Sequence, residues 1–266
     1  MSATAVSLDQ SGVDTDAFGR LRLYNLVVGL VHLGQGIAML ALSNDFALPV
    51  SRTFLNGPPG SAPVQEPWFD VRLGPAVAAF LLLAAIDHLL MAAPGVSRWY
   101  NGMLANERND ARWIEYSISA SLMIVLIAMI TGVTEIGALI AIAGVNASMI
   151  FFGLVQEHVA RPSKGDVNWM PFIYGCFAGA VPWVIIALQI ASSEERATEG
   201  GVPGFVYGII ISLFLLFNSF AVNMVLQYKR VGPWRDYLFG ERAYIVLSLV
   251  AKSALAWQVF ANVLLD

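Results

Sequence analysis

Charged residues are scarce in this chain: Lys, Arg, Asp and Glu make up only 13% of its 266 residues, against 57% hydrophobic residues. A soluble globular domain is usually about a quarter charged. This composition therefore excludes an ordinary soluble protein and predicts an integral membrane protein. The net charge of −4 is small and clusters in loops, which argues against a nucleic-acid partner.

Cysteine and a basic N-terminal segment are also lacking. Cys176 is the only cysteine, which excludes an intrachain disulfide, and we expect a packed, inert thiol in its apolar run. The first nineteen residues carry Asp9, Asp14 and Asp16 but no basic residue. We therefore expect residues 1–19 to be a polar tail rather than a cleavable signal peptide. As a separate expectation, the chain has no metal site.

Seven apolar runs are long enough to cross a bilayer, which takes about 17–25 residues of helix. They cover Leu23–Leu42, Leu73–Ala93, Trp113–Ile130, Ile136–Val155, Met170–Ala191, Val202–Leu226 and Ala243–Leu265. The links are short except for residues 43–72, where the segment NGPPG predicts a small β-hairpin. We expect an all-α membrane protein with one domain over residues 1–266, a seven-helix bundle.

Positive charges are divided unevenly between the two sides of this bundle. Eleven Lys and Arg residues fall on the side of the N-terminus, three fall on the other side, and Lys252 lies inside the last span. Cytoplasmic loops are enriched in Lys and Arg. The bias predicts a multi-pass protein of the cell membrane with a cytoplasmic N-terminus, an extracellular C-terminus and an extracellular loop at 43–72.

Lys252 stands out because a bare ammonium inside a span costs at least a few kcal/mol. It could snorkel to an interface or face a water-filled cavity. Alternatively, its amine could lie in an apolar pocket and form a Schiff base with a carbonyl ligand. At 1.5 Å per residue, Lys252 lies about 13 Å from the N-terminal end of its span. Glu115 lies in the same half of the membrane.

Two histidines lie at compatible depths, His32 about 14 Å into the first span and His88 about 8 Å into the second. Taken singly, each is more often a packing residue than a functional one. Glu115 could instead pair with Arg112 one turn away. Asp87 points about 100° away from His88, toward headgroups or another helix. Together, Lys252, Glu115 and the histidines predict a polar constellation from four helices.

Lys252 and Glu115 each offset the cost of burying the other. A protonated Schiff base is a cation, and a carboxylate within about 4–6 Å would keep it protonated. Ser248, one turn before Lys252, can hydrogen-bond near the same linkage. Other side chains could wall an elongated apolar ligand, although most would be core residues in any case. These are Tyr116, Met123, Met149, Trp183, Phe205, Phe214, Phe217 and Trp257.

The remaining polar and small residues have ordinary interpretations. Glu157 and His158 close the fourth span and are interpreted as boundary residues. The glycine pairs Gly175/Gly179 and Gly204/Gly208 fit close packing between helices.

Seven spans with a lysine in the last and an acid in the third resemble the microbial rhodopsins. The segment RWIEY at residues 112–116 is similar to their arginine–aromatic–x–acid–aromatic motif, in which the acid is the Schiff-base counterion. The chain departs from ion-pumping members at Ser248, where they usually have aspartate, and at Leu126, where proton pumps have an internal donor. The tryptophan–tyrosine–proline pattern of their sixth helix is absent, and the charge bias gives the reverse orientation.

These departures are similar to those of the heliorhodopsins, and the similarity extends over nearly the whole chain. It is carried by the segments NDFALP, LNGPPG, GVNASMI, VPGFVYGIIISLFL, NSFA and GERAYIVLSLVAKSALAWQ. The resemblance implies all-trans retinal on Lys252, Glu115 as counterion, an inverted topology, an extracellular hairpin and a homodimer. It also implies that His32 and His88 belong to a polar cytoplasmic-side cavity that can accept the Schiff-base proton.

Heliorhodopsins generally cycle slowly and do not pump ions, so we expect a sensory or regulatory photoreceptor that is not an enzyme. A cytoplasmic partner would meet the basic loops, although topology alone explains their charge. The candidate retinal contacts are Ser248, Tyr116, Met123, Asn146, Met149 and Trp183. The alternatives are a light-driven or light-gated ion transporter or channel, a retinal-dependent enzyme regulator, and a seven-helix protein that uses Lys252 without a chromophore.

Overall fold

The computed structural model describes residues 15–196 and 201–265. Most of the predicted polar tail lies outside the described residues. The elements follow in chain order as α1 (Thr15–Leu42), β1 (Ala47–Leu55), β2 (Pro63–Arg72), α2 (Leu73–Ala92), α3 (Val96–Ala105), α4 (Asp110–Ile130), α5 (Ile136–Val159), α6 (Met170–Arg196), α7 (Gly204–Tyr228) and α8 (Tyr237–Val259). A π-helical turn, Phe260–Leu264, extends α8.

All the helices except α3 are long and apolar enough to cross a membrane, which confirms the seven predicted spans. Several helices begin before their apolar runs: α8, for example, starts at Tyr237 rather than Ala243. The ten-residue α3 was not predicted. It is amphipathic, with Tyr100 and Leu104 buried and Arg98 and Trp99 exposed, so a search for continuous apolar runs does not find it.

The predicted hairpin is present between the first two spans, where β1 and β2 pair antiparallel. Gly60, in the connecting turn, has a φ of 97°, which glycine adopts without strain. Ser51 at the bulge in β1 donates its backbone N–H to Thr134 O at 2.9 Å. The hairpin is thereby fixed on the turn between α4 and α5. We call this end of the bundle the hairpin end and the opposite end the α3 end.

The apolar core lies mainly between α2, α4 and α8, and α4 is the most buried of the spans. Phe80, Ile124, Leu126 and Leu255 are at most 1% exposed there. The outer face of α6, in contrast, exposes large apolar side chains such as Phe177. An apolar outer surface is expected for a protein surrounded by acyl chains, because no hydrophobic effect drives the burial of apolar side chains in lipid.

Close helix packing at glycine is confirmed for one predicted pair and wrong for the other. A Cβ on Gly179 would overlap the Met149 side chain of α5, and one on Gly175 would lie 3.3 Å from Phe152 Cβ. Gly204 and Gly208 have no neighbouring atoms within 4 Å of such a Cβ. Both pairs have the same spacing in the sequence. They differ because α6 packs closely against α5 at its two glycines, whereas no neighbouring atom of the described residues approaches the two glycines of α7.

Arg112, Glu157 and Glu241 form a buried ion cluster that joins α4, α5 and α8 near the α3 end. The Arg112 guanidinium pairs with both carboxylates, and all three side chains are at most 5% exposed. Its carbon lies 3.9 Å from the centre of the Tyr244 ring. The interpretation of Glu157 as a boundary residue is therefore wrong, and Arg112 pairs with these two acids rather than with Glu115.

Asn109 completes this ion cluster from the N-terminus of α4. Its side-chain oxygen accepts the N–H of Arg112 at 3.1 Å and so caps the helix. Its backbone N–H donates to Glu157 Oε2 at 2.9 Å, and its side-chain amide donates to Glu241 Oε2 at 2.7 Å. Burial, reinforced by Glu241, raises the pKa of the nearby Tyr100 hydroxyl, which therefore stays protonated.

Replacing Gly153 with alanine should destabilise the bundle, because the added Cβ would overlap the Trp113 ring of α4. Overpacking of this kind costs about 1–3 kcal/mol. Gly144→Ala, in the same helix and with no atom within 4 Å of the new Cβ, is the matched control and should stabilise by about 0.5–1 kcal/mol. Thermal unfolding of the apoprotein in detergent measures both. Equal unfolding midpoints for the two variants would contradict close packing of Gly153 against Trp113.

Replacing Arg112 with glutamine should be far more costly than the same change at Arg52. Removing one partner of a buried ion pair costs about 3–5 kcal/mol, since it leaves buried carboxylates without a cation. Arg52 pairs with Glu66 at 3.3 Å, but both side chains are about half exposed, and exposed pairs contribute about 0–1 kcal/mol. Similar unfolding midpoints for the two variants would show that the cluster does not stabilise the helices.

Candidate functional site

Lys252 and Glu115 form a buried ion pair between α8 and α4. The Lys252 Nζ lies 3.1 Å from Glu115 Oε1 and donates to Oε2 at 3.3 Å. It also donates to Ser248 Oγ at 2.9 Å. The two charged side chains are 4% and 8% exposed, so Lys252 does not snorkel to an interface. An acid from another helix compensates its charge, as the sequence predicted.

Helical spacing puts the polar groups of α8 in one row. Tyr244, Ser248 and Lys252 are four residues apart, so they share the buried face of the helix. Tyr116 follows Glu115 on α4, and its ring centre lies 4.9 Å from the Lys252 Nζ. The Tyr116 hydroxyl donates to the backbone oxygen of Tyr244 at 3.2 Å. The amine is thus held between a carboxylate, a hydroxyl and an aromatic ring.

A cavity of about 490 Å³ reaches Lys252 and Ser248 at one end and extends between α4, α5, α6, α7 and α8. Most of its wall is apolar and aromatic, and its volume falls within the usual range of small-molecule sites, about 300–1,000 Å³. The predicted wall residues that line it are Tyr116, Met123, Met149, Trp183, Phe214, Phe217 and Ser248. The cavity suits an elongated apolar molecule whose carbonyl end reaches Lys252.

Other candidates from the sequence lie away from this cavity. Asn146 does not line it, and instead donates to Ser121 Oγ at 3.1 Å between α5 and α4. Phe205 packs against the apolar core, and Trp257 is 40% exposed.

Cys176 lines the cavity but is exposed on α6, so the expectation of a packed thiol is wrong.

Several wall residues were missed in the sequence, and helical spacing could have found some of them. Tyr244 continues the row of Ser248 and Lys252 by one more turn. Phe220 and Met224 continue the row of Phe217 along α7. The full set of missed aromatic and methionine wall residues is Trp113, Phe172, Phe220, Met224 and Tyr244.

His32 and His88 come together as predicted, with parallel rings whose centres are 5.9 Å apart. His88 Nδ1 lies 2.8 Å from Asn25 Oδ1. His32 is fully buried, and neither of its ring nitrogens has a hydrogen-bond partner among the described residues. Lys252 lies within electrostatic range of both rings. The four predicted ionisable residues therefore do belong to one region.

A second, much smaller cavity lies on the α3 side of Lys252, and we call it the polar cavity. Its volume of about 20 Å³ is enough for one water molecule, which needs about 10–15 Å³. Its lining joins the histidine region to the ion cluster and includes Asn25, Asp87, His88, Tyr100, Asn109, Arg112, Tyr116, Glu241 and Tyr244. Tyr116 and Tyr244 line both cavities.

Comparison with solved structures identifies the fold. The structure of a light-driven proton pump from Leptosphaeria maculans matches with a TM-score of 0.62 at 15% identity, covering 94% of this chain and 97% of that one. The transmembrane domain of a rhodopsin phosphodiesterase from Salpingoeca rosetta matches with a TM-score of 0.62 at 11% identity, covering 93% and 84%. At these identities the likeness shows a shared rhodopsin fold and no more.

Comparison of the sequence identifies the family. No curated protein matches the chain. The family model described as Heliorhodopsin matches residues 21–264, a range that holds most of the first span, the other six spans and the lining of both cavities. Retinal is the chromophore that this family implies, and the apolar cavity ending at a paired lysine fits it. The chain therefore belongs to the heliorhodopsin family and is a retinal-binding photoreceptor of the membrane.

Proposed function

We propose that this photoreceptor senses light for a signalling or regulatory purpose, through a slow photocycle and without pumping ions. The observation that carries the proposal is the buried pair of Lys252 and Glu115 at the end of the large apolar cavity. Retinal, all-trans in the dark and bound to Lys252, would supply absorption of visible light and isomerisation.

Glu115 holds a positive charge on the Lys252 nitrogen in the dark. A carboxylate oxygen 3.1 Å away favours the protonated form of that nitrogen strongly in a buried site. Ser248, at 2.9 Å, offers a second polar contact that carries no charge. Met123, Met149 and Trp183 shape the apolar wall. Asn146 would act on the cavity only indirectly, through Ser121 on α4.

The proton of the Lys252 nitrogen leaves toward the α3 end. His32 and His88 lie on that side, and the polar cavity adjoins His88 and Tyr116. The opposite half packs largely through apolar side chains and, among the residues that the structure describes, offers a proton no buried acid or base. Leu126 is 1% exposed within the apolar core, and no buried charged side chain is described between Lys252 and the hairpin end. A proton that can leave and return on one side only is not transported across the membrane.

The N-terminus lies in the cytoplasm, and the C-terminus and hairpin lie outside. This orientation rests on the charge bias of eleven to three, although Arg112 is neutralised inside the ion cluster and exposes no charge to headgroups. The protein acts as a homodimer and passes its signal to a cytoplasmic protein, with no enzymatic activity of its own. Arg98, Lys229 and Arg230 are exposed at that end for such a contact.

Glu115→Gln should shift the visible band to longer wavelength and lower the pH at which the protonated pigment is lost. A neutral amide no longer localises the charge or holds the proton on the Lys252 nitrogen. Visible spectra across a pH titration measure both effects. Glu66→Gln, in the exposed hairpin, is the control and should match the wild type, whereas Lys252→Ala should abolish the band. An unchanged titration in Glu115→Gln would make another acid the counterion.

Illumination of cells that express the protein should give no sustained photocurrent. Among the described residues, the half of the bundle between Lys252 and the hairpin end has no buried charged side chain to carry a transported ion across it. Voltage-clamp recording at several membrane potentials provides the measurement. The Lys252→Ala variant, which cannot bind retinal through a Schiff base, is the control. A steady current that disappears in Lys252→Ala would favour the transporter or channel and overturn the sensory proposal.

A further inference from the structure

Asp87 is an acid inside the second span that has no cation. It precedes His88 on α2, is half-buried and lines the polar cavity. It forms neither an ion pair nor a hydrogen bond with any residue in 15–196 or 201–265. The sequence left open whether it faces headgroups or another helix, and the cavity settles that it faces the interior of the bundle. An unpaired acid within a membrane span is costly and points to a function.

The charged groups around Asp87 are all committed to other partners. Arg112 of α4 pairs with Glu157 and Glu241, and Glu241 also accepts from Asn109. Lys252 pairs with Glu115, and both lie within electrostatic range of Asp87. The other groups that face it are neutral: Asn25 of α1, His88 of α2, Tyr100 of α3, Tyr116 of α4 and Tyr244 of α8. Asp87 is therefore the free carboxylate of this region.

We propose that Asp87 is the residue that accepts and holds the proton lost from the Lys252 nitrogen after light absorption. The proposal rests on the proposed function, in which that proton enters the polar cavity. The N–H bond at Lys252 breaks and an O–H bond forms on a carboxylate oxygen of Asp87. A water in the cavity and the imidazole of His88 can each take one proton and release one, so they relay it unchanged. The reverse transfer restores the dark state.

Charge bookkeeping favours Asp87 over the histidines as the final acceptor. The ion cluster keeps its charges throughout and is left out of this count. At a pH where Asp87 is ionised, the rest of the region holds a cation at Lys252 and anions at Glu115 and Asp87 before transfer. Transfer to Asp87 leaves one buried charge, whereas transfer to His32 or His88 leaves three. Fewer charges are favoured where the dielectric constant is low. The imidazoles of His32 and His88 are therefore suited to relay the proton rather than to store it.

Light-minus-dark infrared spectra of the retinal-bound protein test this assignment. In the state with a deprotonated Lys252 nitrogen, the wild type should gain the carbonyl stretch of one protonated carboxyl group. Asp87→Asn should lose that band, Asp87→Glu should restore it at a shifted frequency, and Asp70→Asn in the exposed hairpin should keep it. A band that persists in Asp87→Asn and disappears in Glu115→Gln would assign the proton to Glu115 and overturn the proposal.

The pH dependence of the photoreaction provides a second readout. The difference between infrared pH titrations of the retinal-free wild type and Asp87→Asn gives the pH at which the Asp87 carboxylate is protonated in the dark. In the pigment, the yield of the deprotonated state should fall as pH is lowered through that value. Asp87→Asn should show the low yield of acidic wild type at every pH. A wild-type yield that does not follow this titration would overturn the proposal.

Failure of this inference is distinguishable from failure of the proposed function. If no visible band forms with retinal, the function assigned to Lys252 is wrong, and the Asp87 proposal falls with it. If the band forms and the Lys252 nitrogen loses its proton as in wild type in Asp87→Asn, only the acceptor is wrong. Loss of deprotonation in His32 or His88 variants, with Asp87→Asn unaffected, would identify a histidine as the final acceptor.

Discussion

A cation and a carboxylate that lie within 3.1 Å of each other inside a membrane bundle constrain the structure around them. Neither Lys252 nor Glu115 could remain charged there alone, because the cost of burying an isolated charge is large. The pair therefore requires that α4 and α8 keep their relative rotation and height. The Tyr116 hydroxyl bonded to the Tyr244 backbone and the Arg112–Glu241 ion pair join the same two helices. Three polar contacts between α4 and α8 thus fix the register on which the large cavity depends.

The bundle is divided into two halves of different chemistry. Toward the hairpin end, α2, α4 and α8 meet through fully buried apolar side chains such as Phe80 and Leu255, and the hairpin is fixed on the α4–α5 turn. Toward the α3 end, the histidines, the polar cavity and the ion cluster form one nearly continuous polar region. The buried charged side chains of the described residues are thus concentrated toward the α3 end. Our proposal that the proton is stored on one side rather than transported depends on this arrangement.

The sequence predicted the position of a polar residue well where that residue interrupts a long apolar run. It predicted the position poorly where the residue lies near a helix end, because polar residues are common there. The pairing of Lys252 with Glu115 could be predicted because a buried lysine in a long apolar run needs a partner, and because depth and helix direction put Glu115 at the same height. Glu157 and Glu241 lie near the ends of their helices, where a solvated acid is the default. Only the tertiary structure shows that both are buried against Arg112. The failures at Asn146 and Cys176 have the same cause, since a run of apolar residues does not specify which face meets a cavity and which meets lipid.

The two tyrosines that separate the cavities link the chemistry at Lys252 to the α3 end. Tyr116 contacts the Lys252 amine with its ring and the Tyr244 backbone with its hydroxyl, and the Tyr244 ring lies against the Arg112 guanidinium. Arg112 in turn holds the end of α5 through Glu157. Close-packed interiors transmit such changes because they have little free volume in which to absorb them. A displacement of Tyr116 must therefore move one of its neighbours. It can move Tyr244, which contacts Arg112 of the ion cluster, or it can move the wall of the large cavity. The first route ends at the helix termini and loops of the α3 end, where the partner that we propose would make contact. Under that proposal, the strength with which the ion cluster holds α4, α5 and α8 together determines how much of the change at Lys252 reaches those loops.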